Sequence, residues 1–319
     1  MSSIGLAPIP VVLCIDVEPD EQRVPRTGRL PWKGFEAALE WIRPMRDALE
    51  SATDAPARFG WFLRMDEQIT VAYGSHGWVA ENHGPALDAL RKEGDELGVH
   101  PHAWRDDGAG GWLVDIDNSK WVAQVTADSF DAYLLAFGQR CVAHRFGDGF
   151  LSQTLLAQLD ELGVNVDLTA EPGMTLVAAK RRESRFVGQV PYSAGAARTS
   201  SRTGGVRLIP LTALDPDAAL PAWRRVARRL RYPGQPRHRQ MVLSTPWPSR
   251  TFWDLVERDI DSGELDVLAF GVRSGSFNDL AVADVIADKL RGLAHHPMRS
   301  RVRFTTPSEA ADILNGQRG

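Results

Sequence analysis

The 319-residue sequence contains only two cysteines, Cys14 and Cys141, and no apolar run long enough to span a membrane. Two cysteines cannot form the disulfide framework of a small secreted domain, and because both lie in apolar runs we expect buried free thiols. The N-terminus lacks basic residues before its short apolar stretch, which ends at Asp16. A signal peptide is therefore not expected, and the chain is predicted to be cytoplasmic.

The sequence also has little net charge, with a formal value of -4 at pH 7. This gives no reason to expect a nucleic-acid partner, and the composition leaves the oligomeric state open. The exception is a basic run over residues 223–239. Its pattern is typical of an amphipathic helix, so Trp223, Val226 and Leu230 are expected to face the core while the arginines face solvent.

No G-x-G-x-x-G motif follows the first predicted strand, which argues against dinucleotide binding. Instead, short β-rich apolar runs such as "PVVLCIDVE" alternate with helical patterns such as "GFEAALEWIRPMRDALES". This alternation indicates a parallel sheet with helices outside, in a barrel or in a doubly wound sheet. The stretch 174–215 is less regular and contains two short strand-like pieces, at 188–192 and 206–211.

Titratable side chains stand at the carboxyl ends of consecutive predicted strands, which is where α/β proteins place their chemistry. In chain order these residues are Asp16 and Glu18, then Arg64 and Asp66, then His100 and His102, then His144 and Arg145 with Asp148 just beyond, and finally Asp167. Because parallel strands end at one edge of the sheet, these groups are expected to converge.

The sequence "GVHPHAW" places His100 and His102 two residues apart. Residues at this spacing in an extended segment point to the same side, and Pro101 biases His100 toward an extended conformation. The same spacing relates Asp16 and Glu18. Two neutral imidazoles with one or two carboxylates suit a divalent transition metal that keeps open water positions. For the histidines alone, the alternative is a hydrogen-bonded pair on the surface. The additional pair of carboxylates, Asp16 and Glu18, favours the metal site.

Four of these segments resemble motifs of the polysaccharide deacetylases of the NodB-homology class (carbohydrate esterase family 4). "CIDVEPD" resembles the first motif in a divergent Asp-x-Glu, His-x-His branch, and "ARFGWFLRMD" resembles the "ATWF" strand. "GDELGVHPHAWR" resembles the "GHEIGxH" element, and "AHRFGDGF" resembles the arginine-containing third motif. The resemblance implies an α/β fold, a distorted and incomplete (β/α) barrel of seven strands. It implies one domain over residues 1–319, with an irregular insertion around 174–235.

The resemblance also implies a function, a metal-dependent hydrolase that removes an N- or O-acetyl group from a carbohydrate or glycoconjugate by means of a metal-activated water. Asp16 would be the catalytic base and Arg145 would orient it. Glu18, His100 and His102 would hold the metal, zinc in first place, with cobalt, nickel or manganese as alternatives. The predicted substrate-binding residues are Trp61, Arg64, Asp66, Trp104, Asp148 and Asp167.

The sequence departs from the family pattern in two places. Position 104, where the family has its second metal histidine, is tryptophan, so His102 must substitute. The late strand "LDVLAFGVRSGSF" contains Val272-Arg273-Ser274 and no histidine, whereas the family carries on this strand a histidine that acts as general acid. Candidates to replace that acid are His144, His295, His296 and a group of the substrate. Two other hypotheses remain open, a catalytically lapsed glycan-binding relative and an amidohydrolase-type metallohydrolase, which usually carries its His-x-His pair on the first strand.

Overall fold

The computed structural model describes residues 8–21, 24–26, 29–172, 199–231, 239–240, 243–245 and 247–316. Its strands are β1 (Ile9–Val17), β2 (Gly60–Leu63), β3 (Glu96–Val99), β4 (Trp104–Asp106), β5 (Trp112–Val114), β6 (Ala143–His144), β7 (Val166–Asp167), β8 (Ser201–Thr203), β9 (Val206–Leu208), β10 (Ala213–Leu214), β11 (Arg239–Gln240), β12 (Leu268–Arg273) and β13 (Val302–Phe304). Its helices are α1 (Lys33–Thr53), α2 (Glu67–Tyr73), α3 (Trp78–Lys92), α4 (Ser119–Phe137), α5 (Gln153–Glu161), α6 (Ala222–Arg231), α7 (Ser249–Asp261), α8 (Leu280–Leu293) and α9 (Pro307–Gly316).

The main sheet has the strand order β12-β1-β2-β3-β6-β7-β9-β8, and β13 also pairs with β1. Every pairing in it is parallel except that of β8 with β9. Thr212 bridges from the segment after β9 to β12. Its N–H donates to the Ala269 carbonyl (2.8 Å), and its Oγ1 accepts from the Ala269 N–H (2.9 Å). The sheet is therefore curled into a distorted, incomplete barrel, which confirms the predicted fold class.

The two faces of the sheet pack into two separate apolar clusters. The smaller cluster contains Val12, Cys14 and Phe62, and α9 contributes Leu314 to it. The larger cluster packs the other face against helices such as α1 and α4. Since side chains alternate along a strand, Asp16 continues the side of β1 that carries Val12 and Cys14. The interior side of the barrel thus ends in a carboxylate at the carboxyl edge of the sheet.

Both cysteines are free and buried, as the sequence predicts. Burial raises the pKa of the Cys14 thiol and raises that of Cys141 to about 12. Both groups are therefore thiols at neutral pH and neither is an active nucleophile. Among the described residues, the helices are too short or too polar to serve as a membrane span.

The irregular middle of the chain is described only in part. The strand-like piece at 188–192 lies outside the described residues, and the piece at 206–211 contains β9. The predicted amphipathic helix forms as α6, but Trp223, Val226 and Leu230 are 67%, 59% and 77% exposed. The prediction that they face the core is wrong. The periodicity determined which residues share a face of the helix, and it carried no information on what that face contacts.

Candidate active site

Three buried side chains from two strand ends meet at the carboxyl edge of the sheet. One possible ligand atom from each of Glu18, His100 and His102 lies within 4.8 Å of the others. Glu18 directly follows β1, and the histidines follow β3. Both strands pair in parallel with β2 and therefore end at the same edge. The chain segment after β3 is held in place because the N–H of His100 donates to the Leu63 carbonyl (2.8 Å).

The two imidazoles present the same ring nitrogen to one another. Nδ1 of His100 lies 2.7 Å from the Arg145 carbonyl, and Nδ1 of His102 lies 3.4 Å from Oδ2 of Asp148. An Nδ1–H directed at each acceptor would leave Nε2 as the ring nitrogen that can bind a metal. These two Nε2 atoms are 3.1 Å apart, and that of His102 is 3.8 Å from Oε2 of Glu18. Two imidazole nitrogens and a carboxylate oxygen form a donor set that fits a divalent transition metal.

His100 is neutral at physiological pH. Burial lowers its pKa to about 4, against the opposing effect of Asp16, and neighbouring His102 lowers it further. A neutral imidazole is the form that binds a metal. The fold therefore holds this side chain ready as a ligand.

The stability of the metal-stripped protein is expected to fall as the pH is lowered through this range. The His100 pKa is lower in the folded chain than the ordinary value of 6.5, so protons favour the unfolded chain. Its contribution to stability is complete above about pH 6.5 and is lost as the pH falls to about 4, a loss of roughly 3 kcal/mol. Urea unfolding at about pH 7.5 and at about pH 4 measures this difference in the free energy of unfolding.

Two variants separate the contribution of His100 from that of the other groups that titrate in this pH range. His100→Gln should lose less stability than the wild type over the same pH interval. His295→Gln, at an exposed histidine, should lose as much as the wild type. Equal losses in all three proteins would show that His100 does not carry the effect.

Glu18 faces the two histidines and is also bonded by two arginine side chains. Its Oε2 is 3.3 Å from Nη1 of Arg64, and its Oε1 accepts from Nε of Arg273. Ser274 fixes its backbone, since the Glu18 N–H donates to the serine Oγ (3.2 Å), which donates to the Glu18 carbonyl (3.1 Å). Burial acts to raise the pKa of Glu18, but Arg273 and Arg64 hold it below its ordinary value. The group is a carboxylate.

Asp16 lies beside the histidine pair and is oriented by Arg145. Nε of Arg145 donates to Oδ1 of Asp16 (2.9 Å), and the same carboxylate oxygen is 3.9 Å from Nδ1 of His100. The guanidinium is fixed in turn by the Leu168 carbonyl (2.7 Å) and by Oε1 of Glu171 (3.0 Å). The aspartate thus has one defined orientation in a site that is almost closed to solvent.

His102 is positioned by the loop that follows β6. Asp148 has a left-handed backbone conformation (φ 57°), and its Oδ2 accepts from the Trp104 indole N–H (2.9 Å) as well as facing His102. Burial acts to raise the pKa of Asp148, but the bonds from His102 and Trp104 lower it to about 2. A Cβ at Gly147 would collide with the His102 ring, so only glycine fits there. Contact of Trp104 and Asp148 with substrate remains a prediction.

Three of the predicted substrate-binding residues, Trp61, Arg64 and Asp66, are buried in contacts of their own, and their contact with substrate stays a prediction. Arg64 lies between Glu18 and Asp66, with its Nε 2.8 Å from Oδ2 of Asp66. Asp66 caps α2 by accepting from the Gln68 N–H (3.0 Å) and also accepts from the His102 N–H (3.1 Å). Trp61 points away from the barrel interior, since it alternates with Phe62, and its indole N–H donates to Asp95 (2.9 Å). None of the three side chains reaches solvent.

Asp167, a fourth predicted substrate-binding residue, is also buried, and it contacts His144, one of the candidates for the general acid. Its Oδ2 is 2.6 Å from Nδ1 of His144, and both side chains are fully buried. His144 alternates with Arg145 along the chain and therefore points to the other side of the sheet, where Phe130 and Phe146 flank it. His296 lies in the connection from α8 to β13, at the opposite edge of the sheet, 3.1 Å from Asp254. Neither histidine faces Asp16.

Sequence reasoning missed three residues that contact the site, namely Arg273, Ser274 and Glu171. Position 273 attracted attention only because it is not histidine. Its role depends on the parallel pairing of β12 with β1, which sets Arg273 beside Asp16 in register. Gly271 was also missed, since a Cβ there would lie 2.9 Å from Nη2 of Arg145.

No protein-family model matches the sequence, and no curated protein does. Solved structures do match over nearly the whole chain. A structure from Parabacteroides distasonis, to which glycoside hydrolase or deacetylase activity is assigned, has a TM-score of 0.56 at 13% identity, covering 99% of this chain and 73% of that one. A structure from Pseudomonas aeruginosa PAO1, assigned as a polysaccharide deacetylase, has a TM-score of 0.53 at 10% identity, covering 98% and 92%. The chain therefore has the fold of the NodB-like polysaccharide deacetylases, the fold that its motifs predicted.

Proposed function

We propose that this protein is a metal-dependent hydrolase that removes an acetyl group from the nitrogen or oxygen of a carbohydrate or glycoconjugate. One observation carries the proposal. The ligand atoms of Glu18, His100 and His102 converge within 4.8 Å, and an aspartate oriented by arginine stands beside them. The solved structures with the same fold, two of which are assigned as deacetylases, support the same reaction class.

Glu18, His100 and His102 would hold the metal, and zinc, cobalt, nickel and manganese are the candidate ions. When bound, the ion would polarise the acyl carbonyl and lower the pKa of the attacking water. The protein contributes ligands that are already positioned. The Arg145 carbonyl and Asp148 hold the two rings, so little ordering of side chains opposes binding.

Asp16 acts as the general base in this proposal. It accepts a proton from the attacking water while the water oxygen adds to the acyl carbon. Arg145 keeps the carboxylate turned toward the histidines and stabilises its charge before the transfer. Glu171 and the Leu168 carbonyl prevent the arginine from turning away.

The same carboxyl group is suited to return the proton. Collapse of the tetrahedral intermediate breaks the bond from the acyl carbon to nitrogen or oxygen, and the leaving group needs a proton. His144 and His296 are bonded to Asp167 and Asp254, and His295 is exposed beside His296 in the connection from α8 to β13. An arginine such as Arg273 is not a proton donor, because a guanidinium does not lose its proton in proteins. We therefore assign this step to protonated Asp16, which restores its carboxylate and releases acetate.

The contacts of Glu18 favour a second candidate function. Its two oxygens face Arg64 and Arg273, which neutralise the charge that would attract a cation. A protein of this kind could use the site to bind glycan without turning it over. The amidohydrolase hypothesis has no comparable support, because the His-x-His pair follows β3 and β1 ends in Asp-x-Glu.

Metal analysis followed by an assay for acetate separates these candidates. Chelator-stripped protein is expected to take up one equivalent of Zn²⁺, Co²⁺, Ni²⁺ or Mn²⁺ in calorimetric titration, and His100→Ala and His102→Ala are expected to lose this binding. His295→Ala, at an exposed histidine, serves as the matched control and should bind normally. Metal-loaded wild type should then release acetate from N-acetylated nucleotide sugars or oligosaccharides.

The possible failures have different meanings. If wild type and both alanine variants contain no stoichiometric metal, the hydrolase proposal is wrong. If metal binds as expected and glycans bind without any release of acetate, the protein is the binding relative.

A further inference from the structure

Helix α6 has an unusual surface for a helix of a globular protein. Its ten residues, "AWRRVARRLR", contain five arginines, and all the others are apolar. Trp223, Val226 and Leu230 share one face at spacings of three and four residues, and all three are exposed. The other face carries positive charge and no acidic or neutral polar group.

The chain topology places α6 on the same side of the barrel as the candidate active site. Strand β9 runs parallel to β7, so it ends at the carboxyl edge of the sheet. Helix α7 leads into β12, which runs parallel to β1 and so starts at the opposite edge. Helix α6 lies between β9 and α7 in chain order, so we place it in the strand-to-helix connection at the carboxyl edge.

Local contacts orient the helix with its apolar face outward. Nη1 of Arg228 lies 2.9 Å from Oδ1 of Asp217, on the short 3-10 helix Pro216–Ala219 that precedes α6. The Arg224 guanidinium lies over the Trp223 ring, 5.0 Å from its centroid. The exposed Trp223 indole thus lies next to the positive charge of Arg224.

We propose that α6 docks on the surface of an anionic lipid bilayer, lying in the plane of the headgroups. Trp223, Val226 and Leu230 enter the boundary between headgroups and acyl chains, and the arginines bind lipid phosphates. A strongly amphipathic helix with arginine on one face and tryptophan and leucine on the other is the type that lies in this interface. The proposal is independent of the hydrolytic function. It adds that the carboxyl edge of the sheet, where the candidate active site lies, faces the membrane surface.

A second copy of the chain is the competing occupant. A cleft of about 610 Å³ between α2, α3 and α4 is lined by Glu81, Asp128 and Asp131, which could pair with the arginines of α6. To bind α6, the carboxylates of this cleft would have to match the positions of the individual arginines. A layer of lipid phosphates needs no such match, because it offers anionic groups to the arginines in any orientation of the helix within the membrane plane. The composition of α6 therefore favours lipid.

Sedimentation of the full chain with vesicles tests the proposal. The protein is expected to sediment with phosphatidylcholine vesicles that contain phosphatidylglycerol, and high salt should release it. With vesicles of pure phosphatidylcholine it should remain in the supernatant. Arg224→Glu combined with Arg225→Glu should weaken binding on the order of tenfold or more. Trp223→Ala combined with Leu230→Ala should abolish it.

Leu280→Ala is the matched control, because Leu280 on α8 is as exposed as Leu230, at 77%. This variant should bind vesicles like the wild type. Circular dichroism and thermal unfolding confirm that the surface variants fold. If the wild type does not bind anionic vesicles, or binds neutral ones equally well, the proposal is wrong. If it forms dimers that Trp223→Ala with Leu230→Ala dissociates, and ignores vesicles, α6 is a self-association surface instead.

Discussion

Asp16→Asn is expected to reduce the turnover of the metal-loaded protein by about 10²–10⁴-fold, the usual contribution of a positioned acid or base. The amide has the same shape and can still accept the hydrogen bond from Nε of Arg145, but it cannot take a proton from water. Metal content should stay at the wild-type level, since Asp16 is not among the three converging ligands. Acetate release and metal analysis on the same preparation measure both quantities.

Asp20→Asn provides the control for this prediction. Asp20 stands two residues beyond Glu18, but its Oδ1 accepts from the Gly34 N–H (2.8 Å), a bond that an amide oxygen can keep. This variant should turn over at close to the wild-type rate. Full activity of Asp16→Asn would remove the assigned base, and loss of metal from it would instead make Asp16 a ligand.

Arg64→Met is expected to destabilise the metal-free protein by about 3–5 kcal/mol, the range for removing one partner of a buried ion pair. Arg64 is fully buried and contacts Asp66 through Nε and Glu18 through Nη1. Methionine fills similar volume but leaves both carboxylates with less compensating charge. Urea unfolding at neutral pH measures the difference in free energy.

Arg105→Met is the matched control, because Arg105 pairs with Asp115 at 2.7 Å while being 44% exposed. An exposed pair of this kind contributes at most about 1 kcal/mol. If Arg64→Met and Arg105→Met cost the same, the buried network around Glu18 is not a main source of stability. Zinc affinity of Arg64→Met also bears on Glu18, since the loss of a competing cation should strengthen metal binding.

Arg273 connects the two candidate functions. It stands at the end of β12, bonds Glu18 and is 40% exposed, whereas Arg64 and Arg145 are buried. Its Nη2 finds no acceptor among the described residues. A guanidinium with this exposure can meet substrate in an enzyme and can equally oppose a metal in a lapsed site. Metal titration of the wild type decides which description holds.

The sequence by itself determined the elements of the site that depend on local geometry. The alternation of strands and helices predicted a parallel sheet, and parallel strands bring their carboxyl ends to one edge. Spacing by two in extended chain predicted that His100 and His102 face the same way, and their Nε2 atoms do lie 3.1 Å apart. These are properties of short segments, so they can be derived without knowledge of the rest of the fold.

Only the tertiary structure decided which strand-end side chains face the site and which partners they have. Phe62 and Arg145 point to the barrel interior, while their neighbours Trp61 and His144 point outward, and a shift of one residue would reverse this. The bond from Arg273 to Glu18 joins positions 255 residues apart, through pairing of β12 with β1. The tertiary structure likewise decided that the apolar face of α6 is exposed and does not pack on the core. Such contacts come from the register between distant segments and from what covers a face, and neither is written in the local pattern of a sequence.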